Sequence, residues 1–309
     1  MYNLTKADAF RNPGSDPAYV LEITPVAGGL AAISSDQKLT LFNPQRLSQG
    51  PLKTILTPHE NIKCARTFDA SNSIVCTAGS NGSVALWDLR LDGSKARVAA
   101  PTGSDAPIVS LACSSTSNTI AAGTEYANHQ ASIFIWDARG GSAPRTRYSE
   151  VHSDDVTELN FHPTNPQVLL SGSTDGLVNV CDTSIADEDE VVVQAFNHGS
   201  VHHAGFLNAT EVYAVSHDER FALYDVAEAR EGGDATWAVG DIRAALGCHQ
   251  QLFQLVHMAK SPAWGFSAET SVGLPGAHGS ELVRSFCVFD QEQTVFTAGE
   301  DGQIIAWRP

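Results

Sequence analysis

The sequence predicts an all-β fold, a seven-bladed β-propeller with residues 1–309 as one domain. Three observations predict it. The first is a word, an aromatic followed by Asp, found at Trp87-Asp88 and Trp136-Asp137. It returns worn at Cys181-Asp182 and Tyr224-Asp225, and Phe42 and Trp307 hold the slot without the Asp. The intervals are 45, 49, 45 and 43 residues, then 83, which is two more with one copy obscured. A fixed period in the forties marks one four-stranded blade repeated in space. The second is an Asp or Asn six residues before the slot, at Asp36, Asn81, Asp175, Asp218 and Asp301. The third is composition: 42% hydrophobic and 17% charged residues, in short Val-, Ile- and Thr-rich runs separated by Gly-, Asn- and Asp-rich turns.

Residues 151–196 show one unit in order. Val156–Phe161 reads as the innermost strand, 162–166 as a turn and 168–172 as the second strand. Thr174-Asp175-Gly176 is a hairpin turn in which Gly supplies positive φ, and 177–181 is the third strand. Residues 191–196 form the outer edge. The first three strands recur in 59–89 and 278–307. The last unit stops at Pro309 after its third strand, so its fourth is expected from the stretch Tyr2 to Phe10, which precedes the first recognisable strand, Tyr19 to Val26. The sixth unit, Asp241 to His278, barely holds four strands and is degenerate. Either 253–256 is its third strand and Trp264-Gly265-Phe266 its fourth, or Trp264 marks the third; a stretch after Cys248 is short or missing.

These words resemble the WD-repeat propeller family. That resemblance implies a buried tetrad in each blade: a His before the first strand, a Ser or Thr in the second, an Asp in the hairpin turn and the Trp of the third. The last unit carries His278, Thr297, Asp301 and Trp307. The unit at 59–87 carries His59, Thr77, Asn81 and Trp87. The unit at 152–181 has His152, Ser171 and Asp175, with Cys181 in the aromatic slot. The next has His198, Asp218 and Tyr224, with Ala214 in place of the hydroxyl. A His between an Asp and a hydroxyl has both ring nitrogens satisfied, so these sets read as structural rather than as a hydrolase triad. No Gly-x-Ser-x-Gly elbow is present.

Residues 150–157, 161–163 and 171–180, with 283–286, 298–302 and 307–309, look like the WD repeat-containing protein 89 family. Two departures stand out: the family's sixth unit is longer, and a basic tail follows its last blade. The resemblance implies a non-enzymatic propeller without substrate or cofactor.

Charge is uneven. Residues 150–234 hold seventeen Asp and Glu against Arg220 and Arg230, so this segment carries −15 of the net −16. Such a field repels nucleic acid and anionic lipid and attracts basic partners. No run of apolar residues is long enough to span a membrane, and the start has no secretion-signal pattern, so nucleus or cytoplasm is expected. The six cysteines form no Cys-x-x-Cys and read as buried, reduced thiols. His198, His202, His203 and His217 cluster on a strand-like stretch, where helical zinc spacing does not apply, so no metal is expected. Gly79-Ser80-Asn81-Gly82 is a hairpin turn rather than a phosphate loop.

The expected function is a protein-binding scaffold, with no cofactor and no small-molecule substrate. Its acidic sector (Asp154, Asp155, Glu158, Asp187, Glu188, Asp189, Glu190 and Glu219) steers a basic protein partner, by analogy with acidic propellers that escort ribosomal proteins or histones. The alternative rests on Trp87-Asp88-Leu89-Arg90 and Trp136-Asp137-Ala138-Arg139. These words resemble the motif of cullin-4 ubiquitin-ligase substrate receptors, in which Arg90 and Arg139 would meet the adaptor. The same words are common to the whole repeat class, which favours the scaffold reading.

Overall fold

The computed structural model describes residues 2–91, 96, 98–140, 142–227, 234–246, 252–260 and 263–309. Its strands form seven sheets, six of four strands and one of three, and the fold is a seven-bladed β-propeller. Packing divides the chain into two compact units, Met1–Ile74 with Leu89–Ser94 and Arg243–Pro309, and Val75–Asp88 with Lys95–Ile242.

The fourth sheet shows why the sequence folds this way. Its strands are Val156–Phe161, Val168–Ser173, Leu177–Asp182 and Val192–Asn197, each antiparallel to the next. Gly176, at φ 99°, sits in the turn before the third strand, a backbone region that suits glycine. The third sheet (Ile108–Ser114, Thr119–Thr124, Ile133–Asp137, Thr146–Tyr148) and the fifth (Val201–Phe206, Glu211–Ser216, Phe221–Asp225, Trp237–Val239) repeat the order within the same unit. Second strands are the most enclosed: Gly29–Ser34, Ile74–Gly79, Thr119–Thr124 and Thr294–Gly299 are buried at every position. That burial explains why they read as continuous apolar runs rather than as alternation.

The first strands carry a feature absent from the sequence reading. In the first, third, fourth, fifth and seventh sheets the register slips near the strand's start, between Val20 and Glu22, Ile108 and Ser110, Val156 and Glu158, Val201 and His203, and Val283 and Ser285. Such a bulge leaves one residue unpaired and re-aims its side chain. Thr157, the bulged residue of the fourth sheet, donates its hydroxyl to the Val201 carbonyl of the fifth at 2.7 Å. Ser110 donates across the preceding seam to the Val156 carbonyl at 2.6 Å. The bulged Thr157 and the paired Ser110 that follows the bulge of the third sheet thus supply hydrogen bonds between consecutive sheets of one unit.

In the other unit, Thr5–Arg11 pairs antiparallel with Gln303–Arg308 and is the fourth strand of the seventh sheet. Just before it, Tyr2–Asn3 runs parallel to Trp264–Pro275, and Leu4 N–H donates to the Gly273 carbonyl at 3.0 Å. One N-terminal segment therefore pairs with two sheets. The sixth sheet consists of Leu252–Lys260, Trp264–Pro275 and Tyr2–Asn3. Residues 253–256 fall within Leu252–Lys260, while Trp264 opens the central strand of this sheet, paired on both sides rather than lying at the outer edge as in the first reading; residues 247–251 lie outside the described residues.

Gly299 ends the second strand of the seventh sheet, where a Cβ would stand 2.6 Å from the Leu282 carbonyl oxygen and 2.7 Å from His278 Nδ1. Gly299→Ala is therefore expected to lower stability by about 1–3 kcal/mol, the usual cost of overpacking. Gly240→Ala, where a Cβ meets nothing within 4 Å, should be nearly neutral. Thermal denaturation of both variants checks this.

Candidate functional site

Buried polar clusters fix the turns of several sheets. In the seventh sheet Trp307 Nε1–H donates to Thr297 Oγ1 at 2.9 Å. His278 Nε2 lies 2.9 Å from the same hydroxyl, and its Nδ1 is 2.7 Å from Asp301 Oδ1. One proton arrangement satisfies every group. The indole can only donate, so the hydroxyl accepts from it and donates to Nε2, and Nδ1–H donates to the carboxylate. Asp301 Oδ1 also accepts from the Gln303 N–H at 3.0 Å, which fixes the hairpin turn.

The fourth sheet repeats this without the indole. His152 stands 2.9 Å from Asp175 Oδ2 and 2.8 Å from Ser171 Oγ. Cys181 fills the aromatic slot within reach of Ser171; burial pushes its thiol up to about 12, against that hydrogen bond. Burial would raise the Asp175 carboxyl, but hydrogen bonds from His152 and from the Leu177 and Ser153 amides hold it below the usual range. In the second sheet Trp87 Nε1–H donates to Thr77 Oγ1 at 2.7 Å. His59 is buried, and Asn81 accepts from the Ser83 hydroxyl.

The fifth sheet corrects the sequence reading. Asp218 is exposed and is not the partner of His198. Instead His198 Nδ1 meets the Tyr224 hydroxyl at 3.0 Å and Nε2 meets the Arg220 carbonyl at 3.1 Å. The cause is Ala214. In the seventh sheet Val295 pairs with Trp307, and the hydroxyl lies two residues on, at Thr297. In the fifth Val212 pairs with Tyr224, which puts Ala214 in that place. With no hydroxyl at position 214, the longer phenol reaches the ring itself. Burial pulls the His198 imidazole below its ordinary value, against the bond to the Arg220 carbonyl.

The same rule finds an orphan in the third sheet. Ile120 pairs with Trp136, so the hydroxyl position falls on Ala122. Trp136 Nε1 is buried and has no hydrogen-bond partner among the described residues. This site is hard to see in the sequence because the hairpin after Ala122 is longer than the others.

The acidic residues are placed on different connections. Asp154 and Asp155 precede the first strand of the fourth sheet, and Asp155 Oδ1 accepts from the Tyr126 N–H at 2.6 Å. Glu219, at φ 55°, lies in the turn between the second and third strands of the fifth sheet. Asp187 to Glu190 follow the third strand of the fourth sheet. There Asp187 caps a one-turn helix, Glu188–Val191, by accepting from the Asp189 N–H. Glu188 turns inward, and its Oε2 accepts from the Ser149 and Glu150 amides, both at 2.6 Å. Glu158 is also not a surface group. It is 8% exposed, re-aimed by the bulge at Thr157, with its carboxylate 2.9 Å from His203 Nδ1. That leaves Asp187, Asp189 and Glu190 as the exposed carboxylates of the tetrapeptide.

His202 meets His203 and His217 with tilted rings, centroids 4.2 and 4.9 Å apart, and the bulge at the start of the Val201–Phe206 strand lies at the consecutive pair. Arg139 grips Asp137 with two bonds, Nε at 3.0 Å and a terminal nitrogen at 2.7 Å. Arg90 donates to Asn72 at 2.8 Å.

The family model described as WD domain, G-beta repeat, matches residues 50–88 and 145–182. The chain is a WD-repeat propeller. It is 28% identical to an uncharacterised WD repeat-containing protein of Schizosaccharomyces pombe over 99% of both chains. It is 25% identical to a WD repeat-containing protein 89 homolog of Dictyostelium discoideum, over 69% of this chain and 56% of that one. Nucleoporin Nup43 of Mus musculus is 28% identical over 48% of this chain and 37% of its own. The WD-repeat propeller therefore resembles the WD repeat-containing protein 89 family, as its 150–180 words suggested. WD propellers as a class bind other proteins.

Two expected outcomes follow from the clusters. Trp307→Phe leaves the Thr297 hydroxyl without its donor, whereas Trp136→Phe removes a donor that has no acceptor. In urea titrations the first should cost about 1–2 kcal/mol more than the second. Asp175 has a depressed folded pKa, so its stabilising effect is present above the unfolded value near 4 and lost as pH falls through the lower folded value. Asp175→Asn should therefore weaken the fold at pH 7 and flatten the loss of stability on acidification towards pH 3, read by urea titration at a series of pH values.

Proposed function

We propose that this WD-repeat propeller is a non-enzymatic scaffold that docks a Lys- and Arg-rich protein segment on the connections of its fourth and fifth sheets. The single observation that carries the reading is the tetrapeptide. Asp187, Asp189 and Glu190 are exposed on a short helix pinned by Glu188, within a segment whose 150–234 charge is −15. No Lys or Arg among the described residues pairs with these three carboxylates. Their charge is therefore available to a partner, and the pinned backbone lowers the ordering cost of docking. Asp154, Asp155 and Glu219 extend the same field, while Glu158 contributes to the seam rather than to the surface.

A role as escort for a basic protein in ribosome or chromatin assembly is consistent with this field, and the similarity to a nucleoporin favours a nuclear setting. The described residues include no helix long and apolar enough to cross a membrane. The ubiquitin-ligase reading is weaker, because Arg139 already holds its own Asp137 in a two-bond grip.

The test is a salt titration with a Lys- and Arg-rich peptide. Affinity should fall steeply as salt rises through about 0.1 M, where the screening length is near 10 Å. The triple variant Asp187→Asn, Asp189→Asn, Glu190→Gln should bind about threefold to tenfold more weakly at low salt. Binding that is flat in salt, or unchanged in the triple variant, contradicts the proposal.

A further inference from the structure

A cavity of about 400 Å³ opens between the third and fourth sheets, within one unit of the fold. Its wall includes Arg145 and Thr146 at the start of the third sheet's fourth strand, Gln167 from the turn before the fourth sheet's second strand, and Thr183 and Ser184 just after its third. Several of these groups are already committed. The Thr183 hydroxyl donates to the Gln167 carbonyl at 2.9 Å, and the Ser184 hydroxyl donates to Asp182 at 2.6 Å. Arg145 is held by its backbone, whose N–H donates to the Ile135 carbonyl at 2.6 Å.

Three donor groups remain without a hydrogen-bond partner among the described residues: the Arg145 guanidinium, the Gln167 carboxamide and the Thr146 hydroxyl. They come from two consecutive sheets and line one cavity. A planar guanidinium beside an amide and a hydroxyl is a donor set suited to an oxyanion. The nearby carboxylates decide which one. Asp137, close enough to Arg145 to feel its charge, is occupied by Arg139, and Asp182 is occupied by Ser184. These fixed negative charges, with Asp187 next to the lining residue Ala186, oppose a dianion more than a monoanion.

We propose that this cavity binds a peptide carboxylate, clamped by Arg145 with Thr146 and Gln167 as second donors. The cavity borders the acidic tetrapeptide, since Ala186, the residue before Asp187, also lines it, but the clamp uses none of the carboxylates proposed to dock a basic partner. A carboxylate can come from a chain end or from an acidic side chain, and the cavity chemistry is common to both.

The experiment follows the Arg145 Nε–H resonance of the full chain, assigned by its loss in Arg145→Gln. The probes are N-acetyl-Ala-Ala with a free carboxylate, the same peptide as its C-terminal amide, N-acetyl-aspartate with its main-chain carboxyl amidated, and inorganic phosphate. Saturable shifts with either carboxylate probe and none with the neutral amide are expected, and the stronger carboxylate probe identifies the source. Affinity, followed by Thr146 and Gln167 amide shifts, should fall at least about tenfold in Arg145→Gln. Thr146→Val should weaken it further than its thermal stability changes. Tighter binding of phosphate than of either carboxylate overturns the choice of ligand. Equal binding of the neutral amide, absence of saturation with both carboxylate probes, or full affinity in Arg145→Gln overturns the site.

Discussion

The start of a first strand and the turn after a second strand bring polar groups together where water is excluded, and one hydroxyl on the second strand decides how they are satisfied. Thr297 shows the complete solution. It receives the Trp307 indole and faces the His278 ring, which in turn reaches Asp301. An unpaired polar group in such a place costs about 1–3 kcal/mol, so the network favours one register of strand and turn over its neighbours. Where the hydroxyl is absent the sheets use different remedies. Tyr224 reaches His198 directly, and Phe42, opposite Leu30 in the first sheet, has no polar atom to satisfy. Trp136 is left with an unmet N–H beside Ala122, and the sheet tolerates it.

The fixed turns and bulges then determine what the connections can present. Because Asp175 and Asp301 hold hairpin turns as well as histidines, their charge is turned inward. Glu158 and Glu188 are drawn inward in the same way, one by a bulge and one by two backbone amides. Of the tetrapeptide, Asp187, Asp189 and Glu190 are left facing solvent, and the proposed docking rests on these three. The same logic isolates Arg145, a cation left over after neighbouring side chains are paired.

Much of this was legible in the sequence. The period of the aromatic slot and the Asp six residues before it located the sheets, because a propeller blade repeats its buried chemistry at a fixed chain distance. The fourth-sheet strands fall within a residue or two of their expected bounds, since Thr174-Asp175-Gly176 marks the turn between them. Three things were not legible. Asp218 kept the right spacing but not the partner, because the missing hydroxyl at Ala214 changed which side chain reaches the ring. Glu158 and Glu188 look like members of an acidic field, because nothing in a run of carboxylates shows which one meets a backbone amide or a bulge. The bulges themselves have no residue signature, and it is they that bring the His202 and His203 rings together and carry Thr157 to the next sheet.

The account rests on the hydroxyl-centred network acting as one unit. A double-mutant cycle between Asp301→Ala and Trp307→Phe, at its two ends, tests this most directly through equilibrium unfolding of the single and double variants. The account predicts a coupling of about 1 kcal/mol or more, carried through Thr297 and His278. Free-energy changes that simply add, to within about 0.3–0.5 kcal/mol, would contradict it.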